Sequence, residues 1–248
     1  MTYTQNPSKG VMLAMAAFAL AFVTAPAQAG ITLFTGADDG AGSLATAPHS
    51  TAAAATFDAA VGTLGIENTI TFESTSLGSF TSLALPSGVM LTGTNINSND
   101  QSIVNTTSNI NITPPCTNAT CGYNTTSGGS QFLLLFGGTA TFTFSAGTDA
   151  FGAYLTGVQN AGETITFSDG TSQSVAIPNP GFDGGTTFVG FTDVGKSIAS
   201  IMINVNNDIA GVDDVRYAAG VPEPTSLALL GGALLSLGWF RRRHIRTL

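Results

Sequence analysis

Thr141-Phe142-Thr143-Phe144, Ile165-Thr166-Phe167 and Ile201-Met202-Ile203-Asn204-Val205 alternate along the chain with a period of two. Successive side chains of a strand point to opposite faces, so such runs bury one side of a sheet. The runs are short, and Gly, Asn, Asp, Pro and Ser separate them. The reading places strands at Thr69–Glu73, Val89–Thr94, Ser102–Val104, Asn109–Thr113, Gln131–Phe136, Ala140–Ser145, Phe151–Thr156, Thr164–Phe167, Ser172–Ile177, Thr186–Phe191, Ile198–Val205 and Val212–Tyr217. Ser168-Asp169-Gly170-Thr171 carries the Asp-Gly of a tight hairpin. Many short strands with frequent turns predict one all-β domain, a single β-sandwich.

A short helix precedes the strands. Ser50 or Thr51 caps it, Ala52–Ala55 propagates it, Phe57 and Val61 supply an apolar stripe, and Gly62 ends it. Before it, residues 30–48 are rich in Gly, Ala, Asp and Ser, with one short strand at Ile31–Thr35 and a solvated turn at Asp38-Asp39-Gly40. The segment from Asn95 to Ser130 is dense in Asn, Ser and Thr. It reads either as two edge strands with a long exposed loop or as largely irregular chain.

Both ends read as address segments rather than fold. At the front, Lys9 precedes an apolar run from Val11 to Val23, and Ala27-Gln28-Ala29 has the small-x-small pattern of a signal peptidase site. Residues 1–29 are expected to be removed, leaving Gly30 first. At the back, Val221-Pro222-Glu223-Pro224 is followed by the apolar stretch Leu227–Phe240 and the basic run Arg241-Arg242-Arg243-His244-Ile245-Arg246. The stretch is shorter than the roughly 20 residues of a full bilayer span. Arg holds its flank on the cytoplasmic side, so the bulk of the chain lies across the membrane. The prolines stop the apolar helix from running back into the preceding domain. This gives a signal peptide at 1–29, a β-sandwich ectodomain at 30–220 and a sorting segment with a transmembrane helix at 221–248.

Pro222, Glu223 and Pro224, the Leu/Ala/Gly run with Gly231-Gly232, and the triplet Arg241, Arg242, Arg243 together resemble the PEP-CTERM sorting signal. That signal is carried by exported proteins of Gram-negative bacteria that make exopolysaccharide. The resemblance implies a transient hold on the inner membrane, recognition by an exosortase, and cleavage near the Pro-Glu-Pro. The address that follows is the cell surface or extracellular matrix. The order Thr69-Ile70-Thr71-Phe72-Glu73, Phe151-Gly152-Ala153-Tyr154, Phe188-Val189-Gly190-Phe191, Gly211-Val212-Asp213-Asp214-Val215 is similar to jelly-roll domains common among such proteins and to carbohydrate-binding sandwiches. By that resemblance first and last strands meet and share a structural calcium, for which Glu73 and Asp213 or Asp214 are the candidates. Alternation lets only one of the two aspartates face inward.

Between Gly30 and Gly220 the bases are Lys196 and Arg216 against 14 acids, a net charge near −12. Such a field repels nucleic acid. Cys116 and Cys121 would meet an oxidising compartment and are expected to form a disulfide. Catalysis is thinly provided for. His49 and His244 are the two histidines, so a Ser-His-Asp arrangement has to use His49. Zinc lacks nitrogen and sulfur ligands. Sugars are usually stacked on Trp or Tyr. Tyr123 is the aromatic available for that, its other reading being a loop tyrosine packed on the disulfide. Four Asn-x-Ser/Thr triplets start at Asn105, Asn111, Asn118 and Asn124, as an Asn/Thr-rich composition generates by chance. The expectation is a non-enzymatic surface or matrix protein. A calcium-dependent carbohydrate-binding module and a secreted glycoside hydrolase are the alternatives.

Overall fold

A computed structural model describes residues 30–97, 100–105, 122–181 and 184–219. The chain runs β1 (Thr32–Asp39), α1 (Pro48–Val61), β2 (Glu67–Ile70), β3 (Gly78–Phe80), β4 (Ser82–Leu85), β5 (Val89–Thr94), β6 (Gln101–Asn105), β7 (Gln131–Thr156), β8 (Thr164–Ser168), β9 (Ser172–Ala176), β10 (Gly185–Thr192) and β11 (Ile198–Ala219). The fold is all-β with one short helix.

Hydrogen bonding links all of these strands into one 11-stranded sheet with the path β1-β10-β7-β11-β8-β9. β2 pairs with the end of β11, while β5 and β6 pair with separate stretches of β7. The spine is β7 and β11, 26 and 22 residues long. Sequence reading breaks β7 into three strands and β11 into two, because glycines and polar residues interrupt the alternation. The ladder instead runs through those places with repeated register shifts. Such irregularities bend a strand and sharpen its twist, and the sheet curls round on itself as a result. The curl gathers Leu91, Leu133, Phe142, Phe151, Phe191, Ile203 and Val212 into one apolar interior. Phe167 stacks on Phe191 there, with ring centroids 4.0 Å apart.

The last stretch of β7, from Ala150 to Thr156, and all of β10 are buried on both faces. Their second face carries Ala150, Tyr154 and Phe188, and α1 covers it. Ser50, Ala54, Phe57 and Val61 are the buried positions of α1, one stripe at three- and four-residue spacing. The Phe57 ring packs edge-on to Phe34 and tilted to Phe188, with centroids 5.6 Å away in each case. It lies on the paired glycines Gly152 and Gly190. A Cβ at Gly190 would stand 2.8 Å from Phe57, so only bare backbone lets the helix approach this closely. Arg216 closes the layer with an ion pair in which its Nη1 donates to both Asp58 oxygens, at 2.6 and 2.8 Å, its guanidinium 5.5 Å from the Tyr154 ring centre.

The helix begins two residues before the expected cap. Pro48 occupies its first turn, and no neighbouring side chain caps it. The cap comes from β1: the Asp38 carboxylate accepts the N–H of His49 (3.1 Å), the N–H of Ser50 (2.7 Å) and the Ser50 hydroxyl (2.6 Å). Asp38 is therefore a buried anchor and not a solvated turn residue. A helix start exposes unpaired N–H groups and a partial positive charge, and a carboxylate satisfies both.

Candidate functional site

β2 runs antiparallel to the end of β11, with Ile70 opposite Val215. The chain leaving β2 therefore passes beside Asp213 and Asp214. Phe72, buried and at φ 60, turns it so that Glu73 arrives at the same place. The stretch from Asn124 to Gln131 lies across all three carboxylates. Glu73 Oε1 accepts the Asn124 amide (2.7 Å) and the N–H groups of Ser130 (2.8 Å) and Gln131 (2.9 Å). Asp213 Oδ2 accepts the N–H groups of Thr125 (2.8 Å) and Thr126 (3.1 Å), and the Asn124 amide at 3.1 Å. The Thr126 hydroxyl donates to Asp214 Oδ1 at 2.8 Å, and the Thr125 hydroxyl lies 3.2 Å from both Asp213 Oδ2 and Asp214 Oδ2.

Glu73, Asp213 and Asp214 thus meet, as a shared junction requires, but strict alternation does not hold. Asp214 has φ 46, a conformation uncommon for a residue with a side chain. That local turn brings its carboxylate round to the same two threonines that Asp213 faces. The sequence carries no signal for Asn124, Thr125 and Thr126 as partners of Asp213, beyond the Asn-x-Thr triplet they form. Their pairing spans nearly ninety residues and exists only once the sheet has curled.

Charge is concentrated here without a base among the contacts. Asp213 is fully buried, and its Oδ1 has no hydrogen-bond partner among the described residues. Burial first, then the Asp214 charge, push its carboxyl up to about 7, against the pull of the Thr125, Thr126 and Asp214 N–H groups. Three acceptors converge on the Asn124 amide nitrogen: Glu73 Oε1, the Gln131 carbonyl and Asp213 Oδ2. An amide nitrogen carries two protons, so this point is richer in oxygen than its donor can satisfy. An all-oxygen, carboxylate-rich set with an orphaned Oδ1 suits calcium chemically. As they stand, no three Asp, Glu, His or Cys among the described residues are gathered into a metal-holding group.

Tyr123 does not offer a ring to a sugar. It is 6% exposed, its hydroxyl hydrogen-bonds to Thr186 Oγ1, and its N–H donates to Thr156 Oγ1 at 2.9 Å. Burial pushes its phenol up to about 12. The polar tip found a partner in the interior, so the ring went in with it. Asp38, His49 and Ser50 bring together the residue types of a hydrolytic triad, with His49 Nδ1 2.7 Å from Asp38 Oδ1. The Ser50 hydroxyl, however, is engaged by Asp38 and by the carbonyls of Gly36 and Thr186. The arrangement serves the helix start. Cys116, Cys121, the leader at 1–29 and the segment 221–248 lie outside the described residues, as does the strand expected at Asn109–Thr113. Among the described residues, no helix is long and apolar enough to cross a membrane.

An all-β domain followed by a Pro-Glu-Pro, an apolar stretch and an arginine cluster defines a protein that is sorted by its C-terminus. Residues 220–243 match the PEP-CTERM protein-sorting motif. The chain carries that motif, which implies export, a transient membrane anchor at the C-terminus and processing by an exosortase. No curated protein matches the chain.

Proposed function

We propose that this protein is a non-enzymatic component of the cell surface or extracellular matrix of a Gram-negative bacterium, associated with exopolysaccharide or biofilm. Signal peptidase removes residues 1–29, and an exosortase then acts at the tail. The released part is the curled sheet, read as a jelly-roll-like sandwich. The observation that carries this reading is the sorting motif at 220–243. The acids support the non-enzymatic part. Glu73 and Asp213 are each held by several N–H and amide donors, which fix them as structural staples rather than as a general acid and a nucleophile facing a substrate. Mass spectrometry of the native product, with cell fractionation, tests the reading. The expected product begins at Gly30, lacks the arginine cluster and lies outside the inner membrane. Met1 or Leu248 still attached, or a cytosolic location, overturns it.

A second reading rests on the orphaned Asp213 Oδ1. Glu73, Asp213 and Asp214 would hold a structural calcium that joins the start of the sheet to its end, in a module that binds carbohydrate. Calcium would neutralise carboxylates that burial otherwise penalises. Glycan-array binding that is lost with chelator favours this reading over the purely structural one. Turnover of a polysaccharide that Glu73→Gln abolishes would favour a secreted hydrolase instead.

A further inference from the structure

A second pair of carboxyl groups lies away from that junction, under the loop joining β7 to β8. Glu163 is fully buried, and neither of its oxygens receives a hydrogen bond from a donor among the described residues. What lies against it is the carboxyl of Asp208, from β11 and itself only 5% exposed. The two are not equivalent. Asp208 Oδ2 accepts the N–H groups of Gln159 (2.6 Å) and Asn160 (3.1 Å), and Oδ1 accepts that of Ile209 (2.8 Å). Backbone donors favour the charged form, and Glu163 has none. The loop is tied in place over the pair: Asn179 donates to the Gln159 carbonyl at 3.0 Å and Asn206 to the Gly162 carbonyl at 2.9 Å.

Two buried carboxyl groups in contact cannot both stay charged unless something positive joins them. The two bases of the described chain are elsewhere, Arg216 on Asp58 and Lys196 beside Asp193. A proton is one solution. Burial, then the hydrogen bond and charge of Asp208, push Glu163 up to about 9, so at neutral pH it is an uncharged acid. A metal ion is the other. The side-chain groups at the pair are oxygens, two carboxyls beneath a loop whose Asn160, Ala161 and Gly162 are open to solvent. Calcium accepts such a set with little demand on geometry, whereas magnesium requires a near-ideal octahedron. The strongly negative field of the domain concentrates cations around it.

We propose that Glu163 and Asp208 form a calcium site, distinct from the junction at Glu73 and Asp213, in which the ion displaces the proton that otherwise joins the two carboxyl groups. The step balances as Glu163–COOH plus Ca2+ giving Glu163–COO− bound to Ca2+ plus one released proton. Nothing is oxidised or reduced.

The released proton makes the site recognisable. Calcium chloride is titrated calorimetrically into the protein as the cell releases it, at about pH 6, 7 and 8, with proton release followed in weak buffer. The expected Kd tightens about tenfold per pH unit while Glu163 is neutral in the free protein, with about one proton released per ion bound. Glu163→Gln reproduces the uncharged acid in shape, so the variant folds and loses this event. Asp213→Asn retains it. Three results overturn the proposal: no calcium binding in the unaltered protein at pH 8, binding without proton release, or the same event surviving in Glu163→Gln. Binding that survives in Glu163→Gln but vanishes in Asp213→Asn assigns the ion to the junction, leaving the second reading above intact while this one fails.

Discussion

Single acids in this domain pull stability in opposite directions with pH. Asp213 and Glu163 sit at about 7 and about 9 in the folded chain, above the roughly 4 of an unfolded carboxyl. The folded state therefore binds more protons than the unfolded one across those windows, and stability falls as pH rises through them. Asp38 is the reverse. Burial raises it, but the Ser50 hydroxyl and N–H and the His49 N–H and ring outweigh that and hold it below the ordinary value. Its contribution is complete above about pH 4 and is lost as pH falls through its lowered value. With chelator present, the thermal midpoint is expected to peak at about pH 4–5 and to decline toward pH 9. Glu163→Gln flattens the limb above pH 7. A midpoint that climbs steadily from pH 5 to pH 9 contradicts both assignments. Asp38→Ala leaves two helix N–H groups without their acceptor and the Ser50 hydroxyl with only the Gly36 and Thr186 carbonyls. Denaturant unfolding should show a loss of about 1–3 kcal/mol, and Asp38→Asn, which keeps one acceptor oxygen, should lose less.

Between α1 and the sheet, the decisive contact is an absence of side chain. Gly152 and Gly190 face each other across β7 and β10, and the Phe57 ring occupies the space they leave. A Cβ at 152 would stand 2.8 Å from Phe188 and 3.1 Å from Phe57. Both neighbours are fully buried rings with nowhere to move. Gly152→Ala is expected to cost about 1–3 kcal/mol by overpacking, and Phe57→Ala about 3–5 kcal/mol through the cavity it leaves. In the double variant the added methyl no longer meets the Phe57 ring, so the two losses should sum to less than their separate values in the same denaturant titration. The strands that flank this contact were legible as short apolar runs, Phe-Gly-Ala-Tyr and Phe-Val-Gly-Phe, as strands buried on both faces read. The helix was legible too, through its apolar stripe, but its cap was not, since a carboxylate from another element gives no local signal. Likewise β3 and β4 escaped notice. They are three and four residues long, Gly-Ser-Phe and Ser-Leu-Ala-Leu, too short to show a period, and their Gly, Ser and Ala carry little strand preference. At the carboxylate junction Glu73 and the Asp213-Asp214 pair were brought together by the resemblance to jelly-roll domains, whose first and last strands meet. Asn124, Thr125 and Thr126 were not, because nothing in a polar loop announces which acid it will cover.

Across the whole molecule, fold and address are written in different chemistry. The domain rests on a curled sheet whose two longest strands close its apolar interior. The tail rests on a proline pair, an apolar run and arginines, and residues 220–243 match the sorting motif independently of anything the sheet does. The two should therefore separate under mutation. Replacing Arg241, Arg242 and Arg243 by Gln removes the cationic flank that holds the segment's orientation, worth about 1 kcal/mol per charge at an anionic leaflet. Replacing Pro222, Glu223 and Pro224 by Ala removes the tripeptide near which cleavage is expected. Both variants are expected to leave the domain's thermal midpoint unchanged. The alanine variant should accumulate at full tail length in the membrane fraction, and the glutamine variant should fractionate between membrane and periplasm with its tail uncut. Intact-mass measurement of each fraction checks this. Normal processing of the alanine variant would separate the Pro-Glu-Pro from the cleavage step, whereas a fall in the domain's own stability would mean that the tail packs against the sheet and is part of the fold after all.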